Sequence, residues 1–300
     1  MGFMYMWTQI PQWQKKIIRP MVNLYRGIKD RRNLERVINS YPVSDLNSEE
    51  KILFQNLAKK KRLTVYPFAF EEDYLQKQID VYYDDDCRMC YVLHNEKRLY
   101  FRRNLNKLES VGCYRQLLIE QDCRSPHCYV TEEHQVESNC ILLDLGAAEG
   151  IFALEHVETA KEIYLFECDE SWISALEETF KPWRSKVHII KKYVSDVVDE
   201  TRVTLDSIFT GTNVRFFIKA DVEAAENDVI IGAERLLQSN EVKMSICTYH
   251  TPNDAETIKR RLDDLNFKGD YSDGYMFFYH DRTFPYFRKG LYRAANYEHM

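Results

Sequence analysis

Two acidic residues follow consecutive apolar segments at a spacing typical of nucleoside-binding sites. The first segment, 141–145, contains Asp144 and runs into a turn of small residues, Gly146-Ala147-Ala-Glu-Gly150. The second segment ends at Glu167. Glycines let a backbone turn tightly and approach a ligand closely. An acidic residue at the tip of the next strand can accept hydrogen bonds from both hydroxyls of a ribose. These residues predict a nucleoside site.

The composition of the turn disfavours a dinucleotide. A dinucleotide site uses Gly-x-Gly-x-x-Gly, but Ala148 and Ile151 occupy the second and third glycine positions here. Glu149 would also place a carboxylate beside the phosphates, and like charges repel. S-adenosylmethionine suits the turn better, because it carries a cationic amine, a sulfonium and an adenosine but no phosphate. An NAD-dependent oxidoreductase remains the alternative on the same architecture.

A second group of ionisable residues follows two later apolar segments. Lys219, Asp221, Glu223 and Glu226 come at the exit of one, and His250 follows the other. Charged residues are rarely buried without a partner, so this cluster predicts a functional site. The alternative is an internal lysine–carboxylate network that only shapes the loop. His250 could act as a general base on an acceptor hydroxyl, or could be a structural hydrogen-bonding residue.

Alternating strand and helix patterns from residue 104 to residue 300 must position these residues. Such alternation predicts a mostly parallel sheet covered on both faces, with ligands beyond the carboxyl ends of the strands. The predicted strands are 141–145, 162–167, 186–190, 214–220, 242–249 and 275–280. The predicted helices are 105–121, 152–157, 171–180, 225–238 and 254–265.

Residues 1–103 are predicted to form a separate helical and β accessory region without a catalytic constellation. A helix is expected over 47–61, and short strands are expected near 63–66, 79–83, 90–93 and 99–102. The first forty residues are basic and show helical spacing of apolar residues. We predict that they pack on their own domain or on a second copy, as in a homodimer. The alternative is contact with a membrane surface or another partner.

Composition and charge narrow the class of protein. The chain has 300 residues and a formal charge of −6, which argues against a chain-wide nucleic-acid binder. No apolar run reaches the ~18 residues that a transmembrane helix needs, and the start lacks the order of a signal peptide. A cytoplasmic protein is therefore predicted. The eight cysteines are expected to be free thiols; a zinc site around Cys87 and Cys90 is disfavoured, and no metal site is predicted.

The motifs together resemble the FkbM family of methyltransferases. The family pattern is Asp-Val-Gly-Ala-Asn-x-Gly, Phe-Glu-Pro, Leu-Asp-x-Leu and Lys-x-Asp-Val-Glu-Gly-Ala-Glu, followed by a strand that ends near a histidine. The matching segments are 144–150, 166–168, 204–208 and 219–226, followed by His250. The resemblance covers about residues 140–280 and keeps the order and spacing of the family throughout.

This resemblance implies a Rossmann-like α/β sandwich of the class I methyltransferase type. It further implies an O-methyltransferase that uses S-adenosylmethionine on a hydroxyl of a sugar, glycan or other small molecule. The cofactor-binding residues it implies are Asp144, Gly146, Ala147, Gly150, Glu167, Ser195 and Asp196, with His127 as a further contact. Asp221 and Glu223 would face the reacting centre, supported by Lys219, and His250 heads the candidate proton acceptors.

The sequence departs from the family pattern at three positions. Ala148 replaces the usual asparagine, Glu149 stands where the family often has an apolar residue, and Ala224 replaces the glycine of the fourth motif. The first two changes concern the cofactor contacts, and the third adds a methyl group near the acceptor. A binding module that keeps the fold without catalysis is the second alternative, because fold alone does not fix function.

Overall fold

The computed structural model describes residues 46–59, 65–66, 68–209, 211, 214–278 and 285–297, together with Arg32 and Ser44. The chain divides into two compact units, Met1–Phe68 with Phe277–Phe287, and Ala69–Met276 with Arg288–Met300. In these described ranges no helix combines the length and the apolar character that crossing a membrane requires. Apart from Arg32, the predicted contact surface of residues 1–40 lies outside the described residues.

The first unit contains helix α1, Ser48–Lys59, close to the predicted 47–61. Asn47 Oδ1 accepts a hydrogen bond from Glu50 N, and Glu50 Oε2 accepts one from Asn47 N. This reciprocal pair satisfies backbone donors that a helix start leaves open. The predicted strand 63–66 is wrong where it is described, because Val65 and Tyr66 lie outside any strand. The buried apolar side chains of α1 are Leu53, Phe54 and Leu57.

The second unit begins with a short helix and a three-stranded antiparallel sheet. These are α2 (Glu71–Leu75), β1 (Tyr82–Asp84), β2 (Met89–His94) and β3 (Lys97–Tyr100). Strands β2 and β3, close to the predicted 90–93 and 99–102, form a hairpin in which His94 pairs with Lys97. Helix α3, Lys107–Glu120, starts at a capping box of Asn106 and Glu109. The compact unit that contains the main sheet begins at Ala69. The predicted domain boundary between residues 103 and 104 stays a prediction.

Seven strands form the central sheet of the second unit. They are β4 (Ile141–Leu145), β5 (Glu162–Phe166), β6 (Val187–Ile190), β9 (Arg215–Ala220), β10 (Glu241–Cys247), β11 (Lys268–Tyr271) and β14 (Leu291–Ala295). Their order is β11-β14-β10-β9-β4-β5-β6, and β14 runs antiparallel to both of its neighbours. Two further pairs of short strands lie outside this sheet: β7 (Tyr193–Val194) with β8 (Arg202–Val203), and β12 (Met276–Phe277) with β13 (Phe287–Arg288).

Helices connect the parallel strands of this sheet. They are α4 (Ile151–Glu155), α5 (Glu170–Thr179), α6 (Leu205–Ile208), α7 (Glu226–Ile231), α8 (Glu234–Ser239) and α9 (Asp254–Asp264), with a 3₁₀ turn at Lys181–Trp183. From β4 the chain builds outward to β5 and β6, and then returns to build β9 and β10 on the other side. Right-handed crossovers therefore place the two sets of helices on opposite faces of the sheet. The predicted Rossmann-like α/β sandwich is confirmed.

Three details of the predicted elements are wrong. The single helix predicted over 225–238 is two helices, α7 and α8. The strand predicted over 275–280 is the two-residue β12 as far as it is described. Strands β11 and β14 were not predicted, although β14 lies inside the main sheet. One face of the sheet packs against an apolar core that includes Leu143, Leu145, Ile218, Met244 and Ile246.

Candidate functional site

The predicted site residues on β4 and β9 lie side by side where the strand order reverses. Asp144 stands opposite Lys219 in the parallel register of these two strands. Lys219 Nζ lies 2.9 Å from Asp144 Oδ1 and donates a hydrogen bond to Gly146 O at 2.6 Å. Both side chains are buried. The pair therefore anchors the turn after β4 at the switch point, where ligands of open α/β sheets bind.

The charge of Lys219 is maintained by its neighbours. Burial by itself lowers the pKa of this lysine, but the carboxylates of Asp144 and Asp221 outweigh that effect and raise its pKa above the ordinary value. Lys219 is thus a fixed cation at the ends of the strands. Removing either member of such a buried pair leaves an uncompensated charge.

The turn after β4 requires glycine at its first position. Gly146 has φ +73°, and a Cβ there would overlap the backbone oxygen of Asp221. This close approach joins the ends of β4 and β9. Gly150 caps the start of α4 in a left-handed conformation and packs against Leu176 and Phe180. Ala148 has φ +48°, a region that non-glycine residues rarely adopt.

Glu167, at the end of the neighbouring strand, stabilises this turn by hydrogen bonding. Its Oε2 accepts a hydrogen bond from Ala148 N at 2.9 Å, and its Oε1 accepts from the backbone nitrogens of Cys168 and Asp169, each at 2.8 Å. A carboxylate offers about four acceptor positions, so Glu167 keeps capacity for a further donor. The structure therefore brings Glu167 and the glycine turn together, and gives Glu167 a structural role that the sequence did not indicate.

A small cavity of about 90 Å³ opens beside the turn. Of the predicted site residues, Asp144, Gly146, Ala147, Lys219 and Asp221 line it. The other lining residues are Leu117, Glu120, Gln121, Tyr129, Ala148, Glu149, Ile151 and Phe152. The cavity is thus rich in acidic side chains.

Glu149 is a carboxyl group of this cavity whose pKa is strongly raised. It is only 6% exposed, and burial raises its pKa to about 8. Near neutral pH this side chain is therefore mostly protonated. A nearby cation would favour its ionised form, and a phosphate would not.

Asp221 accepts hydrogen bonds from two tyrosines. Tyr129 OH donates to Oδ2 at 3.0 Å and Tyr249 OH donates to Oδ1 at 3.2 Å. His127 is buried, and its Nε2 lies 3.5 Å from Asp221 Oδ2. Burial alone would raise the pKa of Asp221, but His127, Lys219 and His250 outweigh it and hold that pKa below the usual range. Asp221 is therefore ionised, and His127 contacts it.

His250 faces three carboxylates. Its Nδ1 lies 3.0 Å from Glu226 Oε1, and its Nε2 lies 3.4 Å from Asp221 Oδ1 and 3.9 Å from Glu223 Oε2. Burial alone would lower the pKa of His250, but Glu226, Asp221 and Glu223 together raise it above the ordinary value. The side chain of Glu223 is 94% exposed, and its φ is +55°. The structure thus brings His250 and Asp221 together, with Glu223 at the solvent side.

Ser195 and Asp196 follow β7 and lie outside the lining of the cavity. Ser195 is buried, and its Oγ donates a hydrogen bond to Asp196 Oδ1 at 3.0 Å. A Cβ at Gly232 would overlap the backbone oxygen of Ser195, so this segment packs closely on the end of α7. The predicted contact of both residues with the cofactor stays a prediction.

Two sets of three side chains in the described residues could in principle hold a metal ion. They are His127, Asp221 and Cys247, and Asp221, Glu226 and His250, with donor atoms within 4.8 Å of one another. Asp221 belongs to both sets and already accepts the two tyrosine hydroxyls. All eight cysteines are free thiols, and four of them are buried.

The sequence reasoning missed Tyr129 and Tyr249 as site residues, and it named Glu226 in the predicted cluster without giving it a role. Tyr129 precedes β4 by a loop, and Tyr249 follows β10, so only the fold brings both hydroxyls to Asp221. Glu226 was visible as the last acidic residue of the Lys219 motif. Its contact with His250 depends on the pairing of β9 with β10.

Comparison with known proteins gives likenesses of fold only. No protein-family model matches the chain, and no curated protein matches it significantly. Among solved structures, the methyltransferase FkbM from Methylobacillus flagellatus is 17% identical, with 64% of this chain and 56% of that chain covered and a TM-score of 0.42. A methyltransferase from Streptococcus mutans in complex with SAH is 11% identical, with 53% of this chain and 89% of that chain covered and a TM-score of 0.37. An rRNA methylase from Streptococcus thermophilus is 10% identical, with 53% of this chain and 87% of that chain covered and a TM-score of 0.35.

Proposed function

We propose that this chain is an S-adenosylmethionine-dependent methyltransferase that acts on a hydroxyl oxygen of a small molecule or glycan. One observation carries the proposal. The turn 146–150 and the carboxylate of Glu167 are joined by a hydrogen bond across the ends of two neighbouring parallel strands. A nucleoside placed there can lie close to the backbone of the turn on one side. On the other side, the carboxylate of Glu167 can accept hydrogen bonds from the ribose hydroxyls.

The donor set of the cavity suits a cationic ligand without phosphates. The cavity is lined by Asp144, Glu149 and Glu120, and a volume of about 90 Å³ admits an amino-acid end rather than a whole nucleoside. We therefore place the methionine end of the cofactor in the cavity and its ribose against Glu167. Gly150 and the Ser195–Asp196 segment would border the adenosine.

The residues at the ends of β9 and β10 would handle the proton of the acceptor. When bound, S-adenosylmethionine supplies an activated methyl group on a positively charged sulfur. The chain must then align the acceptor oxygen and take its proton. His250 Nε2 is the first candidate to receive that proton, followed by Asp221 and Glu223. Lys219 keeps the carboxylates of Asp144 and Asp221 in place.

The buried acids count against the NAD-dependent alternative. A pyrophosphate would meet like charge at the carboxylate of Asp144, and it would oppose any ionisation of Glu149. The alternative of a non-catalytic binding module predicts the same ligand binding as the enzyme, so only a measurement of methyl transfer separates the two. The acceptor could also be an RNA, and the formal charge of −6 makes this the less favoured class.

Methyl transfer from labelled S-adenosylmethionine tests the proposal. The acceptors are sugars, hydroxylated secondary metabolites and RNA, assayed with the wild type, His250→Ala and the control His188→Ala, a partly exposed histidine on β6. We expect label in a hydroxyl acceptor, a loss of at least ~100-fold in His250→Ala and no loss in His188→Ala. Calorimetry with S-adenosylhomocysteine and with NAD accompanies the assay. Binding of NAD alone would refute the proposal, and undiminished turnover of His250→Ala would remove His250 from the mechanism.

A further inference from the structure

Glu226 is a buried carboxylate for which the proposed function has no role so far. It is the first residue of α7 and is only 1% exposed. Its Oε1 accepts a hydrogen bond from Val222 N at 2.9 Å and lies 3.0 Å from His250 Nδ1. The backbone contact fixes this oxygen directly beside the imidazole ring.

The surroundings of Glu226 do not explain why the residue is an acid. Its second oxygen, Oε2, is buried, and no hydrogen-bond partner for it exists among the described residues. An unpaired buried carboxylate oxygen costs free energy. A glutamine would accept the Val222 N–H equally well and would avoid burying a charge. The carboxylate therefore has an advantage only through the imidazole.

We propose that Glu226 is a positioning residue that acts through His250. The carboxylate of Glu226, whose Oε1 lies 3.0 Å from Nδ1 of His250, favours a proton on that nitrogen and thereby the tautomer in which Nε2 carries the lone pair. Nε2 is then the ring nitrogen that faces Asp221, at 3.4 Å from Oδ1. In the methyl transfer proposed above, on which this inference rests, the acceptor oxygen bonds to the methyl carbon, the carbon–sulfur bond breaks so that S-adenosylhomocysteine leaves, and Nε2 receives the proton of the acceptor. Carboxylate–imidazole pairs orient general bases in this way in other enzymes.

The charges around His250 decide the expected effect of pH. Glu226, Asp221 and Glu223 face the ring nitrogens, and Arg288 Nη1 lies 3.3 Å from the backbone oxygen of His250. Burial lowers the pKa of His250, and Glu226 comes first among the groups that raise it. Because a histidine accepts a proton only when neutral, removing Glu226 should move the acid limb of the rate profile to lower pH. It should also lower the plateau, because the ring is then less well oriented.

Nuclear magnetic resonance of ¹⁵N-histidine-labelled protein tests the assignment without any acceptor. His250 is identified by comparison with His250→Asn and titrated in the wild type, in Glu226→Gln and in Asp228→Asn, the removal of an exposed acid on the same helix. In the wild type we expect the neutral form of the ring, observed above its titration midpoint, to carry its proton on Nδ1. In Glu226→Gln this preference should be lost and the titration should move down by about one pH unit. Asp228→Asn should titrate like the wild type.

Two results would overturn the proposal. One is a wild-type ring protonated on Nε2, which needs no variant to observe. The other is an unchanged titration in a folded Glu226→Gln protein. Where methyl transfer can be followed, we expect kcat of Glu226→Gln to fall about tenfold or more with an unchanged KM for the cofactor. Should methyl transfer be absent while the resonance results hold, the proposed function fails and the positioning of His250 by Glu226 stands.

Discussion

Glu149 offers a quantitative test of the charge that the cavity is built to receive. This carboxyl lines the cavity, is only 6% exposed and has a pKa of about 8 because of its burial. The proposed function places the α-ammonium group at the amino-acid end of the cofactor beside it. A cation binds the ionised form of Glu149 better than the protonated form, so cofactor affinity should increase as the pH rises toward 8.

The size of this effect follows from the pKa. With a pKa of about 8, about 1% of Glu149 is ionised at pH 6 and about 10% at pH 7, so the affinity should rise about tenfold between them, or ~1.4 kcal/mol. In Glu149→Gln this rise should disappear. The control is Glu133→Gln, which removes an exposed acid from the loop before β4 and should behave like the wild type.

The same carboxyl makes a separate prediction for folding. Because the pKa of Glu149 is raised in the folded state, that state holds a proton which the unfolded chain releases between about pH 4.5 and pH 8. The free energy of unfolding should therefore fall with rising pH across this window, by at most about 5 kcal/mol from this group. Glu149→Gln should weaken that fall.

Isothermal titration calorimetry with S-adenosylhomocysteine at pH 6 and pH 7 measures the binding effect, and urea unfolding at pH 5 and pH 8 measures the folding effect. If affinity depends on pH in the same way in the wild type and in Glu149→Gln, the placement of the ligand cation beside Glu149 is refuted. Equal pH dependence of their unfolding free energies would refute the burial argument itself.

Three further substitutions test the site. Asp144→Asn removes the carboxylate that pairs directly with the buried Lys219, so urea unfolding should show a loss of about 3–5 kcal/mol; a loss below about 1 kcal/mol would contradict the buried pair. Gly146→Ala places a Cβ against a backbone oxygen, so affinity for S-adenosylhomocysteine should fall at least ~10-fold. The control Gly112→Ala, with open space around the new Cβ, should bind like the wild type. Equal affinity of the two variants would contradict the role of the turn. Ala224→Gly should add about 0.5–1 kcal/mol of stability in thermal unfolding, because Ala224 has φ +77°; a lower midpoint would contradict the strain.

The sequence predicted the first half of the sheet well because its strands are short, apolar and bounded by turns. Strand β4 was predicted with its observed bounds, and β5 was predicted to within one residue. Strand β14 was missed, because its sequence Leu-Tyr-Arg-Ala-Ala gives no strong strand signal. Its place between β10 and β11 is set by pairing with residues distant in the sequence. Local pattern does not encode such pairing.

The sequence could predict those parts of the site that lie within single local motifs. The turn after β4 and Glu167 carry a spacing that sequence reveals, and the structure joins them by a hydrogen bond. The partners of Asp221 and His250 come from other segments, so neither the tyrosine hydroxyls nor the Glu226 contact had a local signal. The left-handed backbone at Ala224 also could not be predicted, because alanine rarely adopts it.

A crystal structure with S-adenosylhomocysteine is the most direct measurement of where the cofactor binds. We expect the ribose hydroxyls within hydrogen-bond distance of the Glu167 carboxylate and the amino-acid end in the cavity beside Gly146 and Glu149. Density for the ligand away from the ends of β4 and β5, or no density from crystals grown at saturating ligand, would contradict the proposed methyltransferase site.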